Sequence, residues 1–286
     1  ERRGLQIVAA AGAFRGFGNP QVTFAGESQI DDIAGELGID PIDLRLKNIL
    51  RGDDRWFGGQ MLFSNGLAQC VERARDASGW TQGTQSPQST KGGGSVPAPS
   101  APGKKRALGF ALCGHISGVL ATSAIVRVLE DGTVVLNVGA VDIGQGSDTV
   151  LSQICAEALK IPLENVAFVS PDTDGSPYNW GTTASRITFR TGRSVVGAAA
   201  GGEKQLKQQA SEMLECAAED LELVPGGAVA VKGVPEKKIG FFEIAKRSHW
   251  FAGGPIIGSH SWVYDRPTID PKRAAAIGLP FPRIGA

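Results

Sequence analysis

Between Val134 and Leu159 the hydrophobic period changes from two to about 3.6 across a two-glycine loop, and this junction constrains the fold more than any other stretch. Val134, Leu136 and Val138 alternate with Thr133, Asn137 and Gly139, the pattern of a strand with one buried face. Beyond Gly144-Gln145-Gly146, the residues Val150, Leu151, Ile154, Cys155, Ala158 and Leu159 recur at helical spacing. Glycines at a strand-to-helix junction let backbone N–H groups face outward, and the helix N-terminus adds unpaired donors and positive potential. The junction is therefore expected to cradle a phosphate or a pterin-like anion. Gln145 would offer one carbonyl acceptor and two N–H donors to a polar ring edge. The competing reading is a plain turn in which the glycines only relieve backbone strain.

The same patterns organise the rest of the chain. Gln6 to Ala11 reads as a short strand leading into Gly12-Ala13-Phe14-Arg15-Gly16-Phe17-Gly18-Asn19-Pro20-Gln21. A helix should follow with Ile30, Ile33, Ala34 and Leu37 on one face and Gly38 as its stop. A second should start at Asp40 as N-cap, with Pro41 first in the helix, Asp43 in the first turn and a stripe of Ile42, Leu46, Ile49 and Leu50. A third is expected over Leu67 to Ser78. From Thr81 to Lys105, Gln, Ser, Thr, Gly and Pro replace apolar residues, the composition of a linker or long exposed loop. Strands are then expected near 107–117, 122–130, 133–140 and 165–170. A long helix is predicted from about Arg190 to Leu223, with Leu206, Ala210, Met213, Leu214, Ala217 and Leu221 on its apolar face and Gly201-Gly202 as a kink or break. A short strand at 229–231 and a short helix at 241–246 close the series. Strands and helices mix without strict βαβ alternation and no repeat is visible, so the fold class is α+β, mixed sheets with packed helices.

Composition closes off several function classes. Lys+Arg and Asp+Glu balance at 29 each, which gives no electrostatic case for nucleic acid or an anionic membrane. There is no signal peptide and no apolar run of membrane-spanning length. Cys70, Cys113, Cys155 and Cys216 form no CxxC pair, and His115, His249 and His260 are scattered, so no metal site is expected from these residues. Unpaired cysteines fit a reducing compartment, the cytoplasm by default. No GxSxG elbow, P-loop or GxGxxG after a strand occurs; Gly16-Phe17-Gly18 runs into Asn19-Pro20-Gln21 instead.

Two further loops carry chemistry beside Gly144-Gln145-Gly146. In Phe14-Arg15-Gly16-Phe17, an Arg between aromatics and glycines can set a fixed fork of donors beside a planar or anionic ligand; the alternative is a structural Arg bonding carbonyls at a turn. In Gly181-Thr182-Thr183-Ala184-Ser185-Arg186, small hydroxyl residues entering a helix can donate to phosphate oxygens; the alternative is a capped helix start.

These loops, in this order, resemble the large molybdenum-cofactor-binding subunit of the xanthine dehydrogenase/aldehyde oxidase family. Ala13 to Gln21 is similar to that family's arginine loop, and Asp40-Pro41, Arg45 and Asn48 match the helix after it. Asp131-Gly132, Gly144-Gln145-Gly146, Thr149, Ala156-Glu157 and Ile161-Pro162 match the glutamine loop and its helix. Asp172-Thr173, Ala184-Ser185-Arg186 and Gly192 match the following cofactor loop. The resemblance implies hydroxylation of an aldehyde or N-heterocycle with water as oxygen source. Its cofactor would be a molybdopterin with molybdenum, as the cytosine dinucleotide in many bacteria. It places Arg15 and Phe17, the candidate catalytic residues, at the molybdenum and the small-molecule substrate. Phe14, Arg15, Gly144, Gln145, Gly146, Thr149, Thr183, Ala184, Ser185 and Arg186 would bind the cofactor. Residues 1–80 would end a first cofactor-binding domain, 81–106 form a linker, and 107–286 belong to a second.

The resemblance also implies partners: an iron–sulfur subunit with [2Fe–2S] centres and often an FAD subunit. The family's Gly-x-Gly-Glu base motif does not occur in these residues, nor does the loop upstream of the arginine loop. A remaining segment of the subunit is therefore expected to supply the base Glu. Without that Glu, a non-catalytic cofactor carrier or assembly module is the rival reading, and a scaffold whose glycines only make turns is another. The CO-oxidising branch carries a Cys in the arginine loop; Arg15-Gly16-Phe17 speaks against that reaction. Asp142 stands two residues before Gly144, where the family commonly has Glu.

Overall fold

The computed structural model describes residues 14–52, 54, 65–80, 108–115 and 120–263. The expected strand at Gln6 to Ala11 and the 81–105 stretch lie outside them. The chain divides into two units, Glu1–His115 with Pro267–Ala286, and Ile116–Arg266.

In the first unit, α1 (Asn19–Leu37) follows Gly18 and stops at Gly38, whose φ of 64° is the left-handed conformation a glycine cap supplies. The expected apolar face of α1 is only partly used: Ala34 is buried, whereas Ile33 and Leu37 are exposed. Its attachment is polar instead. Arg45 lies on α2 (Pro41–Asn48) and is 3% exposed. It donates from Nε to Glu27 Oε2 at 2.7 Å, and from Nη1 to Asp31 Oδ1 at 2.8 Å and to the Pro41 carbonyl at 3.0 Å. Asp40 caps α2 as expected, accepting from the N–H of Ile42 at 2.8 Å and of Asp43 at 3.3 Å. The helix ends at Asn48, so Ile49 and Leu50 stand beyond its expected stripe and only Ile42 of that set is fully buried. The third helix, α3 (Leu67–Ser78), has the predicted bounds, and Trp80 just after it donates to Asp40 Oδ2 at 3.0 Å.

Residues 108–115 do not form the strand expected near 107–117. Their backbone bonds to side chains of α1: Leu112 N–H donates to Glu27 Oε2 at 2.8 Å, and Asn19 Nδ2 donates to the Gly114 carbonyl at 3.2 Å. Side-chain partners satisfy the segment where a ladder would otherwise be needed.

The second unit is built on a four-stranded sheet in the order β3-β2-β1-β7. β1 (Thr122–Val128) pairs antiparallel with β2 (Val134–Val138) and β7 (Ile256–Trp262), and β2 pairs parallel with β3 (Val166–Val169). The parallel pair requires a crossover, and α4 (Ser147–Leu159) provides it. Val126 and Val128 of β1, Val134, Leu136 and Val138 of β2, and Leu151, Cys155 and Leu159 of α4 share one buried cluster, as the alternation and helical spacing predicted. Burial pushes the Cys155 thiol up to about 12, so it behaves as a small apolar group.

The long helix is shorter than expected. A π-helical turn at Ile187–Thr191 leads into α5 (Gly192–Leu214), which stops at Glu215 in a left-handed conformation, φ 52°. Ala217 and Leu221 therefore leave the helix, and Leu221–Val224 is a strand, β4. The amphipathic spacing runs past the end because no glycine or proline marks it. Gly201-Gly202 does not break α5. These residues sit where α5 meets Gly258 of β7 so closely that a Cβ on Gly258 would collide with the Ala198 carbonyl. Gln205 of α5 then pairs with the outer edge of β7, donating to the Ile257 carbonyl at 2.6 Å and accepting from its N–H at 3.1 Å. A second antiparallel sheet, β4, β5 (Ala228–Val231) and β6 (Val234–Gly240), precedes α6 (Phe241–Trp250). β6 and β7 have no marked alternation and are absent from the sequence expectations.

Candidate functional site

Two loops rise from the carboxyl ends of β2 and β3 and are fastened to each other. Gly139, just after β2, lies against Pro177 so closely that a Cβ would overlap the Pro177 carbonyl. Thr182 Oγ1 donates to the Val141 carbonyl at 2.7 Å, and Val141 N–H donates back to the same hydroxyl at 3.0 Å. The Gln145 loop and the 181–186 loop are thereby brought together, at the end of parallel strands where α/β crossovers commonly present ligands.

The Gln145 loop differs from expectation in one respect. Its N–H groups do not face outward, because the Asp142 carboxylate gathers them. Oδ1 accepts from Gly144 at 2.7 Å and Gly146 at 3.4 Å, and Oδ2 from Asp148 at 3.3 Å. This is an anion nest filled by the chain's own anion, and it stands in for the missing N-cap of α4, where Gly146 offers no side chain. The Gly144 N–H foremost holds the Asp142 carboxyl below its ordinary value. Asp148 moves the other way, raised by burial and then by the charge of Asp142; its Oδ1 is buried with no hydrogen-bond partner.

Gln145 is exposed, yet its amide also serves the loop. Oε1 accepts from Ile143 N–H at 2.7 Å, while Nε2 donates to Ser147 Oγ at 2.9 Å and to the Val141 carbonyl at 3.3 Å. The carbonyl and N–H groups expected to meet a ring edge are thus engaged in three bonds within the loop. Gly144, at φ 100°, and Gly146, at φ 79°, have open space where a Cβ would stand, so a ligand can approach their backbone closely. Thr149 is exposed on the first turn of α4.

The 181–186 loop is not a simple capped helix start. Ala184 and Ser185 are both left-handed, φ 47° and 53°, a conformation that costs roughly 1 kcal/mol or more per non-glycine residue and persists only where surroundings enforce it. Arg186 supplies that enforcement. Its side chain is fully buried and donates from Nη1 to Asn179 Oδ1 at 2.5 Å and the Gly181 carbonyl at 2.8 Å. Nη2 donates to the carbonyls of Ala121 at 2.9 Å and Leu120 at 3.2 Å. Burial, and then the charge of Arg190, draw its pKa down. Arg186 therefore shapes the loop from beneath, whereas Ser185 is exposed and Thr183 and Ala184 are half-buried on it.

Asn179 is a residue that sequence reasoning missed, and Thr182, expected among the hydroxyls that could donate to phosphate oxygens, is instead bonded to Val141. Asn179 accepts from Arg186 and from Gly181 N–H at 2.9 Å, and donates to Thr191 Oγ1 at 3.0 Å and Thr122 Oγ1 at 3.2 Å. Nothing in Tyr178-Asn179-Trp180 announces this, because the partners are up to 57 residues away.

The arginine loop belongs to the first unit. Phe17 N–H donates to the Phe14 carbonyl at 2.8 Å, and Gly16, Phe17 and Gly18 are successive left-handed residues at φ 86°, 51° and 88°. This tight turn leaves Arg15 exposed and the residues Phe14 and Phe17 85% and 56% exposed, an arrangement suited to presenting a donor fork and aromatic side chains. Among the described residues no cluster of His, Cys, Asp and Glu could hold a metal ion, and no helix is long and apolar enough to cross a membrane.

Two models of the molybdopterin cofactor-binding domain match the chain, one over residues 8–49 and the other over 73–281. The chain is therefore a molybdopterin-binding protein by class. It belongs to the xanthine dehydrogenase/aldehyde oxidase family, among the large molybdenum-binding subunits. It is 35% identical over 243 residues to the xanthine dehydrogenase molybdenum-binding subunit of Escherichia coli O157:H7, covering 82% of this chain and 31% of that one. It is 31% identical over 243 residues to subunit gamma of the 6-hydroxypseudooxynicotine dehydrogenase complex of Paenarthrobacter nicotinovorans, covering 82% of this chain and 29% of the relative. The fold is that of quinoline 2-oxidoreductase from Pseudomonas putida 86, with a TM-score of 0.67 and 23% identity over 90% of this chain and 34% of that one. The chain thus spans about a third of the length of these relatives.

Proposed function

We propose that the chain contributes part of the molybdenum-cofactor cradle of a hydroxylase that oxidises an aldehyde or N-heterocycle with water as oxygen source. The observation that carries this reading is the fastening of the Gln145 loop to the 181–186 loop through Thr182 and Val141. The residues fit such a group. Open backbone at Gly144 and Gly146 admits a planar ligand, and exposed Ser185 with half-buried Thr183 offers polar edges. When bound, the cofactor would supply the two-electron oxidation of the substrate. Gly144, Gln145, Gly146 and Thr149 would hold one side of it, and Thr183, Ala184 and Ser185 the other, with Arg186 holding that loop rigid. Phe14, Arg15 and Phe17 would border the molybdenum and substrate. The cytosine dinucleotide form, [2Fe–2S] and FAD partners, a further subunit segment bringing the base Glu and a cytoplasmic setting complete the reading. So does the division into 1–80, 81–106 and 107–286. The names of the Paenarthrobacter and Escherichia coli relatives, a complex subunit and a molybdenum-binding subunit, support a multi-chain enzyme.

The test is molybdenum and pterin content of the co-purified native complex, together with the mass of every chain. Molybdenum and pterin near one per copy is the expected result. Gln145→Ala should lower both while leaving the fold intact; unchanged molybdenum would remove Gln145 from the cradle.

A further inference from the structure

We infer that Asp142 is the positioning residue of the Gln145 loop: its carboxylate fills the nest formed by the N–H groups of Gly144, Gly146 and Asp148, and so closes that nest to any external phosphate. This inference rests on the reading that the Gln145 loop holds the cofactor. A turn with several convergent N–H groups at a helix start attracts an anion. Here the anion comes from four residues before the uncapped Gly146, and it sits between the start of the loop and the first turn of α4. The consequence reaches Gln145. The Gly144 and Gly146 N–H groups drawn inward toward Asp142 flank the residue on both sides. The amide of Gln145 then closes on Ile143 N–H, the Val141 carbonyl and Ser147 Oγ. The loop thus arrives at the cofactor already ordered, and the ligand does not bear the entropy of ordering it. The anionic parts of the cofactor are left to the outer face of the loop and to the 181–186 segment. The charged group facing Asp142 is Asp148, whose own carboxyl is raised by burial and by that neighbour.

Asp142→Asn keeps the size and removes the charge, Asp142→Gly empties the nest, and Asp142→Glu restores the anion on a longer stem. In the purified complex, amide exchange of the segment 141–149 reads the loop directly, and released pterin per chain reads the cradle. Asp142→Asn and Asp142→Gly should exchange about tenfold faster over this segment alone and lose most of their pterin. Asp142→Glu should stay near wild type, and added formate should restore protection and pterin retention to Asp142→Gly in a saturable way. The inference is overturned by wild-type exchange in Asp142→Asn, by faster exchange with full pterin content, or by failure of formate to restore Asp142→Gly. A wild-type complex free of pterin would overturn the cofactor reading itself. That failure is told apart from the others because the exchange difference between wild type and Asp142→Asn is still read.

Discussion

The second unit is held by an apolar core and the first, over its described residues, by an ion network. From Ala124 to Ile256 a continuous set of buried Val, Leu, Ile and Ala side chains joins the four-stranded sheet to α4, α5 and α6. In the first unit, Ala34, Ile42 and Val71 are the fully buried side chains of this apolar kind among the described residues. There the organising residue is Arg45, whose guanidinium ties α2 to Glu27 and Asp31 of α1, while Glu27 also takes the Leu112 N–H. A buried charge with several hydrogen-bonded partners is directional; an apolar core is not. The first unit therefore fixes the helix that starts at the arginine loop by geometry, and the second fixes a sheet whose strand ends carry the paired loops by bulk burial.

Substitutions that separate these two physics make the comparison breakable. Arg45→Ala leaves Glu27 and Asp31 without their buried partner and should destabilise the first unit by about 4 kcal/mol. Hydrogen exchange over 14–52 should rise steeply while that over 120–263 stays as it is. Equal loss in both units would end the distinction. Leu206→Ala removes a fully buried side chain from the second unit and should destabilise that unit by about 3 kcal/mol. Thiol labelling checks it: Cys155 is buried and should react only when this core opens, whereas exposed Cys70 and Cys113 react at once in both proteins. Faster Cys155 labelling in Leu206→Ala, and none in Arg45→Ala, is the expected pair of results. Asp40→Ala is the mildest change, removing the α2 cap and the Trp80 contact at a loss of about 1–2 kcal/mol. A thermal shift confined to the first unit's transition checks it, and an unshifted midpoint would mean that the cap is replaced by water.

Much of the second unit was legible because its elements are amphipathic along the chain. The Val134–Val138 alternation and the Leu151, Cys155, Leu159 spacing led to the sheet-helix core directly. The bounds of α3 and the cap of α2 were legible for a local reason as well, since a helix start is written in the few residues beside it. Legibility failed where the determinant is a distant partner. The 108–115 segment looks like a strand until Glu27 and Asn19 take its backbone groups. Gly201-Gly202 looks like a break until Gly258 is found packed against it.

The candidate site divides the same way. Its three loops were visible as unusual runs of Gly, Arg, Gln and small hydroxyl residues, which no hydrophobic period explains, and these runs carried the resemblance to the family. What those residues do inside the loops was not visible. Arg186 was expected beside a ligand and is instead buried under its loop, held by four acceptors from Leu120, Ala121, Asn179 and Gly181. The glycines around Gln145 were expected to aim their N–H groups outward, and Asp142 takes them.

By itself, then, the sequence determined the elements of clear period or cap, such as β2, α3 and α4, and where the unusual loops lie, because periodicity, caps and loop composition are properties of neighbours along the chain; the kind of cofactor came from the resemblance those loops carry. Only the tertiary structure decided which loop meets which, which polar groups remain available, and that Asp142, Asn179 and Thr182 hold the arrangement. Each of those outcomes depends on hydrogen-bond partners that only folding brings within reach.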